Sequence, residues 1–312
     1  MIRMPEYCEL DEVGLISFTG DEAVSFLQAQ LTSDVAGLGV ARTQYTGYCS
    51  PKGRLLATFL LWRFDDEVVL QLPAALRESV QNRLSRYVLR SRVKIADATA
   101  RYALFGLAGA DALKALDALD ARAPAALHDV GATADLRVTQ LPVERYLLLV
   151  PAERAPAVRE ALGSVGRRQD SGHWAALDVA AGIPVITAAT QDAYVPQMVN
   201  LDLVGGVSYA KGCYPGQEIV ARTHYLGRLK QRMYRIGVRG SAGLEPGQPL
   251  YSPEFGADQA SGAVLYTGAV AGDVREALAV VQRSSAHAQS VRLGSLDGPA
   301  VEFLSLPYSV PD

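Results

Sequence analysis

Residues Lys211-Gly212-Cys213-Tyr214-Pro215-Gly216-Gln217-Glu218 constrain this chain more than any other stretch. Proline suits the second position of a type II turn and glycine the third, so Tyr214 to Gln217 should reverse the backbone there. Glu218 to Tyr225 then reads as a short helix stopped by Gly227. That order leaves Cys213 just ahead of a helix N-terminus, where backbone N–H groups favour negative charge. Lys211 stands two positions before it, and nearby positive charge favours the reactive thiolate. The bland reading is a small residue packed in a glycine-rich turn.

The whole chain sets limits on function. Its 312 residues suffice for two or three units with real cores. The formal net charge is -3, which argues against a general nucleic-acid binder. One basic run, with Arg222, Arg228, Lys230, Arg232, Arg235 and Arg239, reads as a solvated face, so direct tRNA binding is not expected. Cys8, Cys49 and Cys213 form no C-x-x-C pair and no zinc spacing. The N-terminus lacks an apolar signal core, and no stretch approaches the roughly twenty apolar residues of a membrane span. A reducing, cytoplasmic protein without membrane contact is the expectation. Gly37-Leu38-Gly39 and Gly205-Gly206 make neither a P-loop nor a dinucleotide fingerprint.

Patterning predicts an α+β chain. Val13 to Phe18 reads as a strand, followed by a capping box from Thr19 to Glu22 and a helix burying Ala23, Phe26 and Leu27. Gln44–Cys49, Leu55–Phe64 and Glu67–Leu72 read as strands, and Pro73 opens a helix to about Leu89. Then come strand 102–107, helix 111–119 with Leu113, Leu116 and Leu119 as its stripe, strands 135–141 and 145–150, and helix 153–162. That order is the split β-α-β arrangement of ferredoxin-like units. From about Lys230, short β-prone runs alternate with turn signals, Ala271-Gly272-Asp273 among them, which reads as a small β-barrel.

Wider strings carry a resemblance. Tyr194 to Leu203, Gly205 to Tyr209, the cysteine string, and Ile219 to Arg222 with Gly227 closely resemble the YgfZ-like branch of the glycine-cleavage T-protein (GcvT) superfamily. Gly20 to Gln28, Leu31 to Val35, Pro51 to Arg54 and Gly182 to Pro184 resemble its other signatures. The resemblance implies two mixed α/β units, one ferredoxin-like, and a C-terminal β-barrel around a central opening. With the composition shifts, it sets the domains at 1–100 with 170–229, 101–169 and 230–312.

It further implies a tetrahydrofolate-binding accessory factor for assembly or repair of iron–sulfur enzymes, tRNA-modifying radical enzymes among them. Its partners would be those clients or assembly proteins, and Cys213 its functional thiol, with Lys211 beside it. Implied folate contacts are Asn200, Gln217, Glu218, Arg222 and Lys211, with Lys52 and Arg54 at the glutamate tail. Two positions depart from the superfamily pattern. Ala57 and Thr58 stand where the T-protein carries paired acids, so its aminomethyl transfer is not expected. Ala180 takes the place of the acid that meets the pterin, and Asp178 is the nearest carboxylate. The alternative is a folate-dependent one-carbon transferase or demethylase using Asp178, Glu218 or Asp202. His224 reads as structural or merely exposed.

Overall fold

Apolar alternation and short helical stripes build two compact units, each assembled from separated stretches of chain. The computed structural model describes residues 4–109, 111–133, 136–227, 229–240, 243–268 and 273–311. One unit holds the chain up to Leu27, Val35–Gln44 and Phe59–Trp174; the other holds Gln28–Asp34, Tyr45–Thr58 and the chain from Ala175. Helices and strands are mixed throughout, giving the α+β fold that the patterning implies.

In chain order the first elements are β1 (Glu6–Glu9), β2 (Val13–Thr19), α1 (Ala23–Gln28), β3 (Thr43–Cys49), β4 (Leu55–Arg63), β5 (Glu67–Pro73), α2 (Ala74–Ser85) and β6 (Lys94–Asp97). They form a five-stranded sheet in the order β3-β4-β5-β2-β6. α2 buries Leu76, Val80 and Leu84, one residue per turn. It ends at Ser85, earlier than the expected Leu89. Tight turns take over there, and Leu89 has a φ of 45° and is exposed. The expected capping box is also absent. Glu22 accepts the Arg92 N–H at 2.6 Å instead of reaching back to Thr19, and the Ala23 N–H is satisfied by the Gly20 carbonyl at 3.0 Å.

β7 (Tyr102–Ala108), α3 (Ala112–Ala118), β8 (Val130–Ala132), β9 (Arg137–Leu141), β10 (Arg145–Pro151), α4 (Ala155–Val165) and β11 (Arg167–Gln169) follow. The start of the expected strand at Asp135 lies outside the described residues. The second sheet runs β11-β1-β7-β10-β9-β8. Strand β1 inserts between β11, to which it is parallel, and β7, to which it is antiparallel. α3 buries Ala112, Ala115 and Leu116, while Leu113 faces outward, because the i, i+3, i+4 face starts one residue earlier than the leucine spacing suggests.

Gly106 sits in the middle of β7, and a methyl group on it would come within 2.3 Å of the Trp174 indole. The fully buried Arg145 guanidinium lies 4.8 Å from the centroid of that indole, and its Nε donates to the Pro142 carbonyl at 3.0 Å.

The other unit contains most of α5 (Ser171–Ala181), then α6 (Gln217–Tyr225), β12 (Gln231–Arg239), β13 (Pro249–Tyr251), β14 (Gly262–Thr267), β15 (Val274–Gln282), α7 (Arg283–His287), β16 (Arg292–Leu293) and β17 (Val301–Leu304). α5 was not read from the sequence; Asp170 starts it by accepting the His173 N–H at 2.8 Å. The C-terminal strands pair in the order β16-β13-β14-β15-β12-β17, and a bridge between Arg292 and Ala300 joins the two ends of this curled sheet. Ile236, Val238, Leu250, Val264, Val281 and Leu293 fill it. Ala271 and Gly272 of the expected turn lie outside the described residues. Near the C-terminus Tyr308 donates its hydroxyl to the Gly182 carbonyl at 2.7 Å.

Gly106→Ala forces the Trp174 ring off its seat. Urea unfolding should show a loss of about 1–3 kcal/mol, the usual cost of overpacking.

Candidate functional site

The cysteine string forms the turn that its proline and glycine specify. Gly216 adopts φ 79° and ψ 2°, the left-handed conformation of the third type II position. The Gln217 N–H donates to the Tyr214 carbonyl at 3.1 Å, and the Gln217 side-chain oxygen accepts the Tyr214 N–H at 3.1 Å. α6 starts immediately afterwards. Cys213 is exposed on this turn, whereas Cys8 and Cys49 are buried. Burial pushes the Cys8 thiol up to about 11 and the Cys49 thiol higher still, so both stay protonated and inert at neutral pH.

A second turn supports the first. Ser50 to Gly53 closes with the Gly53 N–H on the Ser50 carbonyl at 2.9 Å, and Gly53 has a φ of 70°. A methyl group on Gly216 would lie 2.5 Å from both the Gly53 Cα and the Ser50 oxygen. One on Gly53 would lie 2.8 Å from the Ile219 Cβ. The two backbones therefore touch, which only glycine permits. Ser50 donates to Asp192 at 2.7 Å, and Arg54 donates to the Ala193 carbonyl at 2.7 Å. Lys52 and Arg54, both exposed, flank Gly53 and so border the thiol turn.

Lys211 has a different part from the one expected. Its ammonium donates to the carbonyls of Gln28 and Leu31 and lies 5.0 Å from the Tyr214 ring centroid, so it ties the string down. Those carbonyls belong to the segment that Thr32 anchors. The buried Thr32 hydroxyl donates to the Gly206 carbonyl at 2.6 Å and accepts the Gly47 N–H at 2.8 Å. Burial pushes the Lys211 amine down to about 8, against the opposing pull of Asp34. Leu31 to Asp34 entered the sequence reading only as a family signature. Its physical task is to seat the thiol string.

The remaining expected residues fall into three groups. Asn200 is a framework residue: it is fully buried, donates to the Met233 carbonyl at 2.9 Å and accepts from Arg232 at 3.3 Å. Gln217 secures its own turn. Glu218 and Arg222 pair with each other on the open face of α6 at 3.0 Å, with side-chain exposures of 83% and 64%. Asp178 is half-buried on α5. Asp202 is held by both terminal nitrogens of Arg232 at 2.9 and 3.3 Å, and Arg232 also donates to the Gln197 carbonyl at 2.6 Å. At the acid-pair positions Ala57 is buried and the Thr58 hydroxyl accepts the Ile186 N–H at 3.1 Å.

Sequence reasoning met Thr32, Gln197 and Tyr209 only inside the strings that carry the resemblance and gave them no task of their own. The Gln197 amide donates to the Val220 carbonyl of α6 at 2.7 Å and to the Tyr209 hydroxyl at 3.2 Å. Burial pushes the Tyr209 phenol up to about 12.

Gly216→Ala places a methyl group inside the Gly53 contact at a positive φ. Urea unfolding should show a loss of about 1–3 kcal/mol, and thiol-reagent kinetics should show an altered Cys213 rate. Lys211 gives a pH prediction. Its folded-state pKa of about 8 lies below the ordinary 10.5, so the unfolded chain binds more protons between those values. The stability that Lys211 contributes therefore rises with pH across that window. The difference in unfolding free energy between wild type and Lys211→Met, from urea titrations, should shift toward wild type as pH rises from about 8 to about 10.

Three comparisons bear on this architecture. A family model described as the GCVT N-terminal domain matches residues 6–144. The tRNA-modifying protein YgfZ of Enterobacter sp. (strain 638) is 31% identical over 306 residues, covering 97% of this chain and 93% of that protein. Its namesake in Yersinia pseudotuberculosis is 33% identical over 246 residues, covering 77% of this chain and 73% of that protein. Among solved structures, glycine cleavage system aminomethyltransferase T from Bartonella henselae matches with a TM-score of 0.77 at 17% identity, over 98% of this chain and 86% of that one. At that identity the likeness concerns the fold. The full-length match to YgfZ proteins and the shared fold place the chain in one family: it belongs to the YgfZ-like branch of the GcvT superfamily.

Proposed function

We propose that this chain is a tetrahydrofolate-binding accessory factor in tRNA modification that acts through the Cys213 thiol. The observation that carries the reading is a single exposed cysteine on a turn held by two touching glycines, in a chain whose other cysteines are buried. The relatives' name, tRNA-modifying protein, supports the process. The finer reading is that the factor assists assembly or repair of the iron–sulfur enzymes that carry out such modification. One thiol supplies one ligand and clusters take several, so Cys213 would work jointly with a client or assembly partner.

The donor set suits a folate. Exposed Lys52 and Arg54 match the carboxylates of its glutamate tail, and the Asp178 carboxylate matches the donor edge of the pterin. A reduced folate, when bound, supplies one-carbon units or reducing equivalents. The chain's own residues hold the thiol turn, orient it and leave the sulfur accessible. A transferase reading has less support, because Ala57 and Thr58 offer no carboxylate, Asp202 is bound by Arg232, and Glu218 is paired with Arg222.

Calorimetry with tetrahydrofolate under anaerobic reducing conditions tests the ligand. Wild type and Cys213→Ala should bind alike, and Asp178→Asn should bind about tenfold more weakly. No heat of binding with wild type would remove folate from the reading. In a strain lacking the gene, Cys213→Ala should fail to restore iron–sulfur tRNA-modifying activity, and full rescue would remove the thiol from the mechanism.

A further inference from the structure

The geometry points to a docking surface for single-stranded RNA at the C-terminal end of α6, the helix that follows the Cys213 turn. It rests on the tRNA-modification reading above and names the surface that would hold the RNA. Tyr209 and His224 stack with ring centroids 3.7 Å apart and planes at 14°. Tyr225 meets His224 edge-on at 4.7 Å and 76°. His224 is exposed, and Tyr225 is 68% exposed. Tyr209 is half-buried and backs His224, so His224 and Tyr225 present the ring surface that a base can stack upon, which is how single strands are held without sequence preference.

Cations occur nearby along the chain. Arg222 precedes Tyr225 by one helical turn. Lys52 adjoins Gly53, which touches Ile219 of the same helix, and exposed Lys230 follows five residues beyond Tyr225. Glu218 offsets part of the Arg222 charge, so contact with phosphates falls chiefly to Lys52 and Lys230. With a formal net charge of -3, the chain as a whole does not attract RNA, and the attraction is local to this face. From Gln217 to Tyr225 the helix rises about 12 Å, so a strand stacked on the rings runs close to the thiol turn. The sequence expectation was that RNA would not bind directly. The basic run is not the solvated face that was expected, since Arg232 is buried against Asp202 and Arg235 pairs with Glu276, and it is the stacked rings that change the reading. Exposed Ile219 and Leu226 would also suit a protein partner, but the cations and stacked rings favour a nucleic acid.

Fluorescence anisotropy with a labelled, mixed-sequence RNA of about twelve nucleotides, single-stranded and as a duplex, tests the surface. The single strand should bind more tightly than the duplex. Tyr225→Ala should weaken it about tenfold, and Tyr225→Phe should restore wild-type affinity. Lys52→Ala or Lys230→Ala should each reduce the slope of log affinity against log salt by about 0.7. Cys213→Ser should bind as wild type does, so the RNA surface and the thiol chemistry stand or fall separately. No saturable binding by the folded wild type, equal affinity of Tyr225→Ala and wild type, or a preference for duplex would overturn the proposal and leave the face to a protein partner.

Discussion

At Gly53 and Gly216 two backbones meet with no space for a side chain, and the candidate site depends on that contact. A methyl group on Gly216 would sit 2.5 Å from neighbouring backbone atoms, so neither turn can shift without the other. The contact orients α6, sets Lys52 and Arg54 beside the string, and leaves Cys213 at the surface. Close packing of main chain against main chain gives a flexible-looking glycine segment a defined shape.

Around this contact the polar framework is built from buried side chains bonded to backbone. Thr32 links Gly47 to Gly206, Gln197 holds the α6 carbonyl of Val220, and Arg232 gathers the Gln197 carbonyl, Asn200 and Asp202. A buried guanidinium is tolerated because its charge is matched by a bidentate carboxylate and its terminal N–H groups find oxygens, which leaves only its Nε without an oxygen among the described residues. Removing either partner leaves an uncompensated charge inside, so Arg232 and Asp202 are best regarded as one unit.

Much of this was legible in the residues. Pro215 and Gly216 specified the turn, and strands β7, β9 and β10 with helices α3 and α4 followed from periodicity, while the three-residue strand β8 did not. Other elements were not legible, for physical reasons. Strand β1 is four residues long and pairs only with distant partners, Ala108 and Arg167 among them, so no local pattern marks it. Leu113 had the spacing of a core residue, but the helix face that packs is set by the sheet beneath it. The tie of Lys211 to Gln28 and Leu31 spans about 180 residues, and a lysine two positions from a cysteine suggested charge assistance instead. In the site, local turn chemistry was readable, while the assignment of Asn200 and Lys211 to framework duties required the long-range hydrogen bonds.

The thiol-bearing unit draws on Gln28–Asp34, Tyr45–Thr58 and the chain from Ala175, and Tyr308 secures Gly182 from near the C-terminus. During synthesis the Ser50–Gly53 turn leaves the ribosome long before the Gly216 turn that must press against it. Strands β7 to β10 and helices α3 and α4 emerge in between and can bury most of their shared core first. A nascent chain thus holds its cysteine in an unformed loop until the Gly216 turn has emerged to meet Gly53. The ordered presentation of Cys213 is therefore a late event in synthesis, completed only when two turns far apart in the chain have met.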